Sequence, residues 1–129
     1  MSFEWRKYLV LANDLYSSCT TFSNEEACLR AATSRSYYAA FCTARNVARD
    51  KEGLTLTNTG GDHGIVSRFY KNASDRERKK VGVLLSRLKN YRGNADYVDA
   101  LPGLLSDTEA TLSLSDQVIS LIEKIHQTS

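Results

Sequence analysis

The stretch Asn90-Tyr-Arg-Gly-Asn-Ala-Asp-Tyr97 gathers Arg92, Asn94, Asp96 and Tyr97 within six positions around Gly93. A guanidinium, an amide, a carboxylate and a phenol at that spacing support two different uses. In one they end a helix: Arg92 favours the negative end of the helix dipole, Gly93 takes a positive φ, and Asn94 caps the turn. In the other they bind an anion: Arg92 clamps a phosphate, Asp96 orients it, and Tyr97 adds a hydroxyl and a stacking face. Spacing alone leaves both open. Proton transfer near neutral pH falls to the chain's two histidines, His63 and His126. His126 reads as a solvated or dipole-favoured terminal residue. His63 opens a short helix after a Gly-rich segment, where it serves either a local N-terminal hydrogen bond or a contact to Arg92.

Helices must position these groups. Three capping-box patterns, Ser23-Asn-Glu-Glu26, Ser74-Asp-Arg-Glu77 and Ser106-Asp-Thr-Glu109, predict helices starting near residues 24, 75 and 107. Phe3, Tyr8, Leu11, Ala12, Leu15 and Tyr16 recur at helical spacing and predict a first helix of about four turns. A short helix is expected from about Asp62, carrying Ile65, Val66, Phe69 and Tyr70. Gly53-Leu-Thr-Leu-Thr-Asn-Thr-Gly-Gly61 lacks a helical period and reads as the one long loop. With five helices and no credible strand, the fold class is all-α.

The helix after Ser23 runs to about Lys51 without Gly or Pro. Tyr37, Phe41, Ala44 and Ala48 share one side of it, and Cys28, Ala32, Ala39 and Cys42 the other. Apolar or small residues on both sides place this helix at the centre of a bundle. Arg35 falls within the small-residue stripe and needs an acidic partner or a surface gap. On the helix from Asp75, Val81, Leu84, Leu85 and Leu88 form the apolar face, while Arg76, Lys80 and Arg87 form a basic stripe. By the same count Arg92 falls on the apolar side, with Gly93 expected to terminate the helix.

The 129 residues fit a single domain spanning 1–129, with 42% hydrophobic and 25% charged residues. No stretch has the length and apolarity of a membrane span, and no signal-peptide pattern opens the chain, so a cytoplasmic location is the expectation. Cys19, Cys28 and Cys42 lack metal or redox spacing and read as reduced structural thiols. A net charge of +2 does not by itself demand nucleic acid. No metal or cofactor is implied.

Taken in order, Ser34-Arg-Ser-Tyr-Tyr-Ala-Ala-Phe41, Asp62-His-Gly-Ile-Val-Ser-Arg-Phe69 and Tyr91-Arg-Gly-Asn-Ala-Asp-Tyr97 resemble the HEPN superfamily of small helical domains. The likeness is to its short stand-alone branch, and covers roughly residues 28 to 98. It implies an up-and-down bundle of four to five helices that forms a homodimer, with Arg92 of each chain near the two-fold axis. Many relatives are metal-independent ribonucleases, toxins of toxin–antitoxin pairs or effectors of antiviral defence. Their motif Arg maps to Arg92. The motif His position falls at Tyr97, and Gly93 replaces the usual polar residue, so the chain departs from the catalytic pattern twice. Cleavage by a 2′-hydroxyl needs a proton acceptor, a proton donor and positive charge on the phosphorane. Arg92 supplies the last; Tyr97, with an unperturbed pKa near 10, is a poor base.

Two functions follow as expectations. In the first, the dimer cleft binds or cleaves RNA or a nucleotide, with Arg92, Tyr97 and His63 acting on the phosphate. Asn94, Asp96, Arg35, Tyr38 and Arg87 bind beside them, Tyr37 and Tyr91 offer further stacking faces, and the partner is an antitoxin. In the second, a catalytically silent dimeric module partners a nucleotidyltransferase or another protein encoded beside it. The shared motif context also makes Asp96 the expected ion-pair partner of Arg35.

Overall fold

The computed structural model describes residues 2–127. Five α-helices carry the chain: α1 (Lys7–Ser17), α2 (Glu25–Glu52), α3 (Asp62–Lys71), α4 (Arg76–Tyr97) and α5 (Leu104–His126). A 3-10 turn at Cys19–Thr21 links α1 to α2, and no strand occurs among the described residues. The protein is an all-α helical bundle.

Helix boundaries follow local chemistry, though not always the residues the patterns suggest. Asn24, one position after Ser23, caps α2 by accepting the Ala27 N–H at 3.0 Å. Asp75, one after Ser74, caps α4 through the Arg78 N–H at 3.1 Å. The third pattern fails: α5 begins at Leu104 after Gly103 and its chain-reversing Pro102, so Ser106 lies inside the first turn. α1 is shorter than expected and leaves Phe3 outside, packed edge-on against Trp5 at 4.9 Å. α2 ends at Gly53, whose φ of 74° is left-handed, and the Leu54 N–H returns to the Ala48 carbonyl at 2.9 Å.

The expected stop at Gly93 does not occur. Gly93 lacks a positive φ, and α4 continues through it to Tyr97. The orphan carbonyls at the real end are served by Arg30 of α2, which donates to the Ala95 and Asp99 carbonyls at 2.9 and 3.1 Å. Arg92 is therefore not the C-cap.

Side-chain links give the topology. Ala12 packs with Ala32 and Cys28 donates to the Leu15 carbonyl, so α1 runs antiparallel to α2. α4 also opposes α2, since Arg78 pairs with Glu52 at one end while Arg92 covers Tyr37 further along. α5 follows α2, from Thr33–Thr108 to Glu52–His126. Four helices thus alternate. α3 does not: Tyr37 meets His63 and Ala44 meets Tyr70, so both links advance seven residues in the same direction on each helix. The 53–61 loop carries the chain back along α2, resting Leu54 and Leu56 on the core.

The main core joins Tyr37, Phe41, Ala44 and Ala48 of α2 with Val66 and Tyr70 of α3, Leu84, Leu85 and Leu88 of α4, and Val118 and Ile122 of α5. The small-residue side of α2 is filled from within the chain, Ala32 against Ala12 and Leu112, Cys28 and Leu29 against Leu104. It is consequently no free dimer face. Between α2 and α5 the seam is built of buried hydroxyls: Thr33 meets Thr108 at 2.9 Å, and Ser115 donates to the Ser36 carbonyl at 2.6 Å. Each is satisfied inside the protein, which lets two backbones approach closely without leaving an unpaired polar group. The three cysteines are free and buried. His126 is held by Glu52 at 3.2 Å and is largely buried, contrary to the expected solvated terminal residue.

Two glycines test this packing. A Cβ on Gly82 would stand 2.6 Å from the Lys71 backbone nitrogen, so α3 and α4 touch there. Gly82→Ala should lower stability by roughly 1–3 kcal/mol through overpacking. Gly93, helical and with open space around its Cβ position, should gain roughly 0.5–1 kcal/mol as Gly93→Ala. Urea denaturation reads both, and a destabilised Gly93→Ala would contradict the continuous α4.

Candidate functional site

Where α2, α3 and α4 meet, aromatic and ionisable side chains are assembled in layers. Tyr37, 1% exposed, anchors them from the middle of α2. Its hydroxyl hydrogen-bonds His63 Nδ1 of α3, and the Arg92 guanidinium of α4 lies 5.2 Å from its ring centre. Burial drives the Tyr37 pKa upward, so the hydroxyl keeps its proton. Arg92 has no acceptor to offer, which leaves His63 Nδ1 to accept that proton's hydrogen bond. The neutral imidazole then carries its own hydrogen on Nε2.

His63 is held from two further directions. Its ring stacks on Phe41 at 4.2 Å and 7°. Its backbone is fixed by the neighbouring Asp62, whose carboxylate accepts the Thr57 N–H at 2.8 Å, the Thr57 hydroxyl at 2.6 Å and the Asn58 N–H at 2.9 Å. These bonds, that of the Thr57 hydroxyl foremost, hold the Asp62 carboxyl below the usual range. They also fold the loop so that α3 begins beside Tyr37. Asp62 was legible as a helix start, but not as the residue that organises the loop.

Arg92 is enclosed rather than displayed. Its side chain is 13% exposed, Nη1 sits 3.6 Å from Asp96, and the guanidinium faces both Tyr37 and Tyr38, the latter at 5.8 Å. Nε is buried with no hydrogen-bond partner among the described residues. Arg35 does not meet Asp96. It lies instead over Tyr8 at 4.9 Å and Tyr38 at 5.2 Å, so two aromatic faces serve where an acid was expected. Asp96 belongs to Arg92 because both lie on α4 one turn apart.

The remaining candidates separate from this cluster. Tyr97 is 77% exposed at the far end of α4, Asn94 is exposed on the outer face, and Arg87 is exposed with the rest of the basic stripe. The structure brings together Arg92 with its Asp96, His63 and Tyr38 around Tyr37, and sets Arg35 on the other side of Tyr38 against Tyr8.

Two clefts open on either side of the Phe41–His63 stack. The larger, about 360 Å³, lies between α2 and the 53–61 loop and is lined by Tyr38, Phe41, Arg45, Arg49, Leu56 and Asn58 among others. The smaller, about 190 Å³, lies between α3 and α4, lined by Ser67, Arg68, Lys71, Ser86 and Lys89 with Gly64. His63 lines both. Lys71 and Lys89 escaped the sequence reading, and Arg68 entered it only as part of the 62–69 stretch, with no role of its own. Arg68 and Lys71 lie on α3 and Lys89 on α4, and only the antiparallel packing of the two helices brings them to one cleft.

No three His, Cys, Asp or Glu side chains among the described residues come together as metal ligands, and none of their helices is long and apolar enough to cross a membrane. The chain matches no protein-family model, no curated protein and no solved structure.

Burial first, then the charges of Arg92 and Lys89, push the His63 pKa below its ordinary 6.5. A depressed histidine contributes stability that is fully present above 6.5 and is lost as pH falls through the folded value. NMR titration should therefore place the His63 midpoint below 6.5, and Lys89→Gln should raise it. A midpoint at or above 6.5 would contradict the enclosed, cation-flanked ring.

Proposed function

We propose that this chain is an RNA- or nucleotide-binding bundle of the HEPN kind, with His63 as its central polar group. One observation carries the reading: His63 is locked by Tyr37, Phe41 and the Asp62-anchored loop between two clefts that are both lined by cations. A fixed Nε2–H between positively lined clefts suits a phosphate oxygen. Tyr38, half-buried at the rim of the larger cleft, offers a face for a base. Arg92 acts from behind, fixing the tyrosines and lending positive field, rather than gripping the ligand itself. The homodimer that the family resemblance implies would have to use a face other than the small-residue side of α2.

Metal-independent RNA cleavage, in a toxin–antitoxin or defence setting, is the stronger form of this reading. It assigns His63 the proton transfer. The second reading, a silent dimeric module that partners a nucleotidyltransferase or another protein, is favoured by the position of Tyr97. That phenol stands exposed and apart, so the position that holds the motif histidine in the family does not join the cluster around His63.

Fluorescence anisotropy with single-stranded RNA tests the binding. Affinity should fall steeply with salt, and Tyr38→Leu should cost about 1–3 kcal/mol of binding. If the chain cleaves, products should end in a 2′,3′-cyclic phosphate, form in the presence of chelator, and disappear in His63→Ala. Binding without product from the unaltered protein supports the silent module. Failure to retain RNA or nucleotide even at low salt ends both forms of the first reading.

A further inference from the structure

The two clefts beside His63 differ in size and charge in a way that divides a ligand between them. Pockets for drug-sized molecules hold roughly 300–1,000 Å³. The cleft of about 360 Å³ falls in that range and the cleft of about 190 Å³ does not. The larger one has room for a base with its sugar; the smaller suits a compact anion.

Charge divides them the same way. In the larger cleft Arg49 is already paired with Asp50 at 2.7 Å, and Arg45 donates to Asn46 and lies over Trp5 and Phe41. The walls there combine the faces of Tyr38, Phe41 and Leu56 with Asn58, Thr59 and the Asp62 carboxylate, which already accepts from Thr57 and Asn58, so its cations are offset by an acid that the smaller cleft lacks. In the smaller cleft, Arg68, Lys71 and Lys89 have no carboxylate partner among the described residues. No acidic side chain lines it. Three exposed cations converge there although each is free to point elsewhere.

Gly64 helps shape the smaller cleft. The Arg68 guanidinium nitrogen Nη1 lies 3.0 Å from where a Gly64 Cβ would be. A side chain at 64 would crowd that guanidinium and make it give by a few tenths of an ångström from its place on the cleft wall. Beneath it, Ser67 and Ser86 bridge α3 and α4 at 2.9 Å and set the floor.

We propose that the α3–α4 cleft is a phosphate subsite formed by Arg68, Lys71 and Lys89, and that the larger cleft seats the attached nucleoside. The ligand is a phosphorylated nucleoside, free or as a unit of single-stranded RNA, laid across the exposed edge of His63. The inference rests on the RNA- or nucleotide-binding reading and names what that site takes. Double-stranded RNA is disfavoured, because a paired base cannot enter a cleft.

Heteronuclear NMR titrations of the unaltered protein with inorganic phosphate, adenosine monophosphate and a short oligoadenylate provide the test. They are repeated on Arg68→Gln, Lys89→Gln, Gly64→Ala and, as a control on the basic stripe of α4, Lys80→Gln. Phosphate and the mononucleotide should shift the amides around Gly64, Arg68 and Lys89, and the mononucleotide alone should also shift those around Leu56 and Asn58. Arg68→Gln and Lys89→Gln should each weaken mononucleotide binding about tenfold, as expected for one charge-assisted hydrogen bond. Gly64→Ala should weaken it while leaving thermal stability intact, and Lys80→Gln should change nothing. If oligoadenylate binds but Arg68→Gln and Lys89→Gln behave like Lys80→Gln, the subsite is overturned and the RNA reading stands. If the mononucleotide binds in the clefts and oligoadenylate does not, the subsite stands with a free nucleotide as its ligand and the RNA reading falls. Absence of any shift near Gly64 or Lys89 overturns the proposal.

Discussion

A phenol placed in the core must find a hydrogen-bond partner there, because an unpaired buried hydroxyl costs on the order of 1–3 kcal/mol. Tyr37 meets that requirement with His63, and Tyr70 meets it with the Ala44 carbonyl at 2.8 Å. The two links point in opposite directions between the same pair of helices. Together they fix both the direction and the register of α3, which is too short, at 10 residues, to be stable alone. The clefts follow from that register: a one-turn slip of α3 would take His63 off Phe41 and carry Arg68 away from Lys89.

The close approach of α3 and α4 follows from the same placement. Gly82 lets the C-terminal end of α3 touch the α4 backbone, while Ser67 and Ser86 bridge the two helices through their hydroxyls further along. The room of the small cleft runs along this pair, from Lys71 past Ser67 and Ser86 to Gly64 and Lys89. The empty side-chain position of Gly64 adds to that room.

Much of the architecture was legible in sequence because it rests on local chemistry. The long α2, the break at 53–61 and the start of α3 follow from the absence or presence of glycine, and the apolar face of α4 from its spacing. The errors share a cause. Gly93 looks like a stop, yet an α-helix accepts glycine in its interior when tertiary contacts hold both flanks, here Leu88 before it and Ala95 after it, both buried. Arg35 looked in need of an acid because sequence cannot show that Tyr8 and Tyr38 would enclose it. The site was half legible. Arg92, His63 and Tyr38 come from motif-like stretches, whereas Lys89, Arg68 and Lys71 become neighbours only through the antiparallel pairing of two helices.

The position of Arg92 explains why a cation would be turned inward at all. Its burial is offset by Asp96 and by the faces of two tyrosines, and Nε is still left without a partner among the described residues. That is a poor arrangement for stability alone, since an apolar residue of similar length would fill the space without desolvating a charge. It is a good one for influencing an ionisation. Burial already disfavours protonation of His63, and from behind Tyr37 the fixed charge adds to that effect without occupying either cleft. The imidazole is thereby kept neutral between cationic walls, with one nitrogen committed to the core and the other left to whatever enters.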